Sequence, residues 1–254
     1  MDLTTFANRL NETLDVAEWA GSDYAENGLQ VGPEQGTVEK AAFAVDGVVE
    51  TFEAASEENA DVLVVHHGIS WGGIDTVTGK EYERVKTLLD NDLSLYAVHL
   101  PLDAHAEYGN AAGVADYLDL EVVEPFGRHG PGHTGQRARA GTPRNPEGIR
   151  DRLAELPTGG QPVQHLDFGP DEVTDVAILT GSGTDYLDEA RELGVDALVT
   201  GEGKQPAYHE AKEAEMHVFL AGHYATETFG VQSLQELVED WGIETTYIEH
   251  PTGL

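Results

Sequence analysis

A chain of 254 residues with 47 acidic against only 14 basic side chains carries a formal net charge of −33 at neutral pH. It has no cysteine, which excludes disulfides, thiolate metal sites and thiol catalysis. The lack of a basic stripe argues against nucleic acid as a partner, because nothing is there to replace phosphate counterions.

Helix and strand signals alternate from the start. Leu3, Phe6, Leu10 and Leu14 have the spacing of an opening amphipathic helix. After a turn-rich stretch (21–36), residues 41–45 read as a strand, 48–59 as a helix and 62–65 as the next strand. Then follow a helix over 80–90, a strand over 93–98 and a helix over 110–118. The Gly-rich segment 127–135 breaks the pattern and reads as a linker. Beyond it come helices over 145–156, 186–193, 207–215 and 226–241, and strands over 176–180, 197–200, 217–221 and 245–248. Such alternation predicts an α/β fold, with one domain over 1–127 and a second over 128–254. The last helix and strand are expected to pack back on the first domain. Residues 41–68 and 176–203 also align without a gap at an offset of 135, and His99-x3-Asp103 matches His223-x3-Glu227 at an offset of 124. This pattern suggests an internal duplication; the plainer alternative is that any two βαβ units look alike.

Neither a basic-apolar leader nor an apolar run of about 20 residues is present, so the expectation is a cytoplasmic protein without a membrane partner. Acidic residues spread along the chain, with only five lysines, predict adaptation to a very saline cytoplasm.

Metal-ligand types sit where buried strands should end. The run 62–65 leads into His66 and His67, the run 95–98 into His99 with Asp103 four residues on, and the run 218–222 into His223 with Glu227 four residues on. In open α/β sheets, ligand groups collect at such carboxyl ends. His66 and His67 otherwise read as a hydrogen-bonded pair at a strand terminus, and Asp103 as a helix N-cap. His223 and Glu227 fall one helical turn apart on one face. Imidazole and carboxylate without thiolate suit zinc, manganese, iron, nickel or cobalt. Lys204, in Thr200-Gly201-Glu202-Gly203-Lys204, is a candidate phosphate contact, and Asn27 a candidate substrate-facing residue. Glu202 and His209 are candidate proton carriers or supports for the ligands. His129, His133 and His165 have no partner spacing and read as solvated or structural.

Five segments together resemble the Nif-three-like family, also called the type 2 GTP cyclohydrolase 1 family. They are Asn27-Gly28-Leu29-Gln30-Val31-Gly32, Val65-His66-His67-Gly68, His99-Leu100-Pro101-Leu102-Asp103-Ala104, Thr200-Gly201-Glu202 and Gly222-His223-Tyr224-Ala225-Thr226-Glu227. The resemblance implies a dinuclear metal site at the interface of two related α/β domains, in a toroidal homo-hexamer. By position, it places the ligands of two divalent ions on His66, His67, Asp103, His223 and Glu227, with Glu227 bridging. It implies a metal-dependent hydrolase in which activated water attacks a small phosphorylated or heterocyclic substrate, GTP in the family label. The alternative is a non-catalytic metal-binding assembly or adaptor protein, or one that delivers a metal or cofactor. Relatives often place a histidine soon after Thr-Gly-Glu-x-Lys, whereas Gln205-Pro206-Ala207-Tyr208 intervenes here before His209.

Overall fold

The computed structural model describes all 254 residues. In chain order the first elements are α1 (Leu3–Thr13), β1 (Gly28–Val31), β2 (Lys40–Asp46), α2 (Val49–Glu57), β3 (Val62–His67), α3 (Lys80–Asp90), β4 (Ser94–Ala97) and α4 (Leu100–Asp103). Next come α5 (Asn110–Tyr117), β5 (Glu121–His129), β6 (Gly132–Arg144), α6 (Pro146–Leu153), β7 (Gln164–Leu166), β8 (Val173–Ile178) and α7 (Leu187–Leu193). The chain ends with β9 (Ala197–Thr200), α8 (Ala207–Glu213), β10 (His217–Leu220), α9 (His223–Thr226), α10 (Thr228–Asp240) and β11 (Glu244–Tyr247). This is a mixed α/β fold with two sheets.

Two compact units divide the chain: Met1–Leu102 with Gly230–His250, and Asp103–Phe229 with Pro251–Leu254. The boundary expected near residue 127 falls instead between Leu102 and Asp103, which puts Asp103 in the second unit. Segment 127–135 is no linker. It lies in an antiparallel hairpin in which His129 pairs with Gly132 and Phe126 with Gly135, and Gly130 turns the chain with φ +50°. Its glycines serve a turn in which only a residue without Cβ adopts that backbone freely. Most of α10, and all of β11, belong to the first unit.

In the first unit the sheet runs β1-β4-β3-β2-β11, all parallel except β1. Strands β3 and β4 are apolar and buried along most of their length, because a parallel sheet is covered on both faces. Phe52, Leu63, Val65, Leu88 and Leu95 form much of one core layer. The opening helix α1 buries Leu3, Phe6, Ala7 and Leu10, and Asp2 caps it by accepting from the Thr5 N–H at 3.1 Å. Phe6 meets Trp241 edge-on at 5.8 Å.

In the second unit the order is β5-β6-β8-β9-β10-β7, with β8, β9 and β10 parallel and the others antiparallel. Alternate residues feed two core layers. Val176, Ile178, Ala197, Val199 and Phe219 enter one; Ala177, Leu198 and Val218 enter the other.

The two sheets repeat one topology. The order β1-β4-β3-β2 in the first is matched by β7-β10-β9-β8 in the second, with the antiparallel strand at the same place in each. Ala41 pairs with Val62, and Val176 with Ala197, as the offset of 135 requires. Even a side-chain device recurs. Asp61 accepts from the backbone of Glu39 and Lys40 at 2.7 and 3.0 Å, and Asp196 from that of Thr174 and Asp175 at 2.8 and 2.9 Å. Any two βαβ units share a crossover, but not this register or this aspartate. The internal duplication read from the sequence therefore has a structural counterpart.

Candidate metal centre

In the first unit, His66 and His67 close β3, and His99 follows β4 by two residues. Neighbours on a straight strand point to opposite faces. Here, at the strand end, the rings of His66 and His67 lie 4.7 Å apart, and that of His99 lies 5.0 and 5.7 Å from them. The three nearest ligand atoms fall within 4.8 Å of one another.

Each ring is held from behind. His66 Nδ1 meets the Val98 carbonyl at 3.0 Å, His67 Nδ1 the Asp46 carboxylate at 2.8 Å, and His99 Nδ1 the Asp23 carboxylate at 3.0 Å. A metal-binding histidine is oriented in this way, through an Nδ1–H donated to a carbonyl or carboxylate. Asp23 also accepts from the backbone N–H groups of Ala25 and Leu100 and from the Asn27 amide, each at 2.9 Å. Burial alone would raise its pKa, but His99, Asn27 and Ala25 outweigh that and hold it at about 2. Asn27 is consumed by this scaffold. Its Nδ2 donates to Asp23, and its Oδ1 accepts from the His99 N–H at 2.7 Å, so it fixes a strand end. Trp71 forms a wall beside the histidines, with ring distances of 5.2 Å to His99 and 6.0 Å to His67.

In the second unit, His223 opens α9 and Glu227 follows its last residue, so the pair stands one turn apart as its spacing predicts. His223 Nε2 lies 3.2 Å from Glu227 Oε2, and His223 Nδ1 lies 3.1 Å from Glu202 Oε1. Burial pulls the His223 pKa down, but the two carboxylates prevail and raise it to about 9. The internal repeat explains Glu202: at the offset of 135 it occupies the place of His67, two residues beyond the end of β9. Close approach of the strand ends demands glycine here. A Cβ on Gly181, whose φ is +60°, would lie 2.3 Å from Glu227 Oε1, and one on Gly201 would lie 2.6 Å from the Gly181 carbonyl oxygen. A cavity of about 290 Å³ opens beside Gly201, Glu202 and Gly222.

Asp103 is buried at the end of α4 and accepts from Asn110 Nδ2 at 2.9 Å, which is not the bond of an N-cap. Lys204 is ion-paired with Asp185 at the surface. His209 is exposed on α8 with its ring edge-on to Tyr208. His99 takes part in the first cluster, although the resemblance did not place a ligand there; its signal was the apolar run that it ends. His165, read as lacking a partner, has one in His217 at 3.1 Å. Strand pairing created that contact, and no sequence spacing announces it. The donors present, imidazole and carboxylate without thiolate, fit a divalent ion of the zinc-to-manganese series.

Comparison with known proteins agrees with the motifs. The profile of the Duf34/NIF3 (NGG1p interacting factor 3) family matches residues 1–252. A Halobacterium salinarum protein named GTP cyclohydrolase 1 type 2 homolog is 55% identical over 255 residues, covering all of both chains. An Archaeoglobus fulgidus protein of the same name is 42% identical over 256 residues, again covering all of both. Among solved structures, a Thermus thermophilus protein superimposes with a TM-score of 0.89 at 36% identity, and protein ybgI with 0.90 at 34%, each over the full length of both chains. Fold, motifs and full-length likeness agree, and the chain belongs to the Duf34/NIF3 family.

Proposed function

We propose that this protein is a metal-dependent hydrolase of a small phosphorylated or heterocyclic substrate, with GTP as the first to test. In this reading His66, His67, Asp103, His223 and Glu227 hold two divalent ions in one centre. The observation that carries it is the convergence of His66, His67 and His99, each with its Nδ1 backed by a carbonyl or carboxylate. So many oriented imidazoles at strand ends are costly to assemble for packing alone. Bound ions of this kind supply Lewis acidity and a water that ionises near neutral pH.

The chain's own residues have separable tasks. Asp23 and Asp46 hold the His99 and His67 rings in orientation. Glu202, half-exposed and 3.1 Å from His223 Nδ1, can carry a proton between the imidazole and solvent. Trp71, 37% exposed, offers a flat face on which a heterocycle can stack. Lys204 reaches a substrate phosphate only if it leaves Asp185. A homo-hexameric ring and a saline cytoplasm complete the proposal; family membership supports the first, and the net charge of −33 the second.

The test is metal content per chain, together with GTP turnover in molar KCl, for wild type, His67→Ala and Glu227→Ala. The expected result is a metal content clearly lower in both variants than in the wild type, by up to about two ions per chain, with turnover at least about a hundredfold lower. Turnover unchanged in both variants would overturn the reading. Metal lost in the variants, with no turnover by the wild type on a panel of nucleotides and heterocycles, would favour the non-catalytic metal-binding alternative.

A further inference from the structure

A different cluster lies at the β7 edge of the second sheet. His165, the middle residue of β7, stacks on Phe219 of β10 with ring centroids 4.4 Å apart. His217 opens β10 and is 1% exposed. Its Nε2 sits 2.8 Å from the Pro170 carbonyl oxygen, which can only accept, so in the neutral ring Nε2 carries the proton and Nδ1 the lone pair. That lone pair faces His165 Nε2 at 3.1 Å and Asp167 Oδ1 at 3.3 Å, and His165 Nε2 lies 4.0 Å from the same carboxylate oxygen.

A simple hydrogen bond from His165 to His217 accounts for the first of these distances. It does not account for Asp167, whose anionic oxygen stands against a lone pair although the side chain is 75% exposed and could turn to solvent. The Gly169 N–H, 3.4 Å from His217 Nδ1, is too distant to relieve the contact well. A cation at the centre of the three atoms would satisfy all of them.

We propose that His165 Nε2, His217 Nδ1 and Asp167 Oδ1 form a separate mononuclear site for a divalent ion of the zinc class, which pins the edge strand β7 and the turn after it to β10. Metal–ligand bonds of 2.0–2.1 Å in a tetrahedron place ligand atoms about 3.3 Å apart, close to two of the three separations present, 3.1 and 3.3 Å; the third, 4.0 Å, ends on the exposed Asp167, which is free to move in. Two imidazoles and one carboxylate select zinc, cobalt, nickel or copper over magnesium and calcium, which require oxygen. The Pro170 carbonyl orients His217 as a metal-bound imidazole is usually oriented. Three protein ligands leave a position for water. The charge of −33 raises the local concentration of any cation.

The experiment uses the full chain, stripped with chelator and titrated with zinc in molar KCl. Bound zinc per chain is counted and its affinity measured by calorimetry for wild type, His165→Phe and Asp167→Asn. Phenylalanine keeps the stack on Phe219 and leaves buried His217 in place. The same substitutions are repeated in a Glu227→Gln background. His165→Phe should bind one zinc fewer than its parent in both backgrounds, and Asp167→Asn should weaken that zinc by at least about tenfold. If the two-metal reading is wrong, the totals change but the difference of one does not. Equal stoichiometry and equal affinity for parent and His165→Phe would overturn the proposal.

Discussion

His223 shows how a single side chain can report on its surroundings. Glu227 and Glu202 raise its pKa from 6.5 to about 9 against the opposing effect of burial. A histidine whose folded pKa is raised stabilises the fold fully below its unfolded value and ceases to do so as pH rises through the folded one. Metal-stripped protein should therefore lose stability between pH 6.5 and 9, on the order of 3 kcal/mol. Chemical denaturation across that range measures this, and Glu202→Gln should flatten the fall. A curve with no slope there would contradict the assignment. Under the proposed metal reading, loading displaces the same proton, and uptake at pH 7 should release about one proton per chain. At this scale the sequence was informative about residue type and poor about partners. His66, His67, His223 and Glu227 announce themselves by ending apolar runs or by helical spacing. Asp23 behind His99, and His217 behind His165, come from chain separations of 76 and 52 residues that no local pattern encodes.

Among the elements, the parallel strands were legible and the antiparallel ones were not. Strands β2, β3, β9 and β10, and the second half of β8, are largely apolar runs because both faces of the sheet are covered there. The hairpin β5–β6 is mostly exposed along β5, carries Arg137, Arg139 and Arg144 along β6, and bends through glycines, so it reads as a loop. Arg137 and Arg139 are there to meet Asp175 on β8, at 2.7 and 2.9 Å. The repeated aspartates yield a prediction for the elements that they join. Asp61→Ala and Asp196→Ala each strand two backbone N–H groups at a strand start, and each should cost about 2 kcal/mol in urea unfolding. Losses under about 0.5 kcal/mol in both would show that solvent replaces the carboxylate and that the repeated bond is incidental.

For the whole molecule, charge sets the conditions under which the rest operates. With 47 acidic and 14 basic residues, self-repulsion in dilute salt opposes the marginal stability of any domain this size. The expected outcome is loss of the folded circular dichroism signal when molar KCl is replaced by millimolar, as the screening length grows from about 3 Å to beyond 30 Å. An unchanged spectrum would refute salt dependence. No helix is long and apolar enough to cross a membrane. Composition, periodicity and motif order were sufficient for the α/β class, the family and the residue types of the candidate metal centre, because burial on both faces of a strand and polar groups at its end leave local marks. Three things needed the tertiary structure: the division between Leu102 and Asp103, the antiparallel strands, and the carboxylates behind the histidines. Each depends on which distant segments meet across a sheet, and pairing of that kind is decided by the packing of the whole chain.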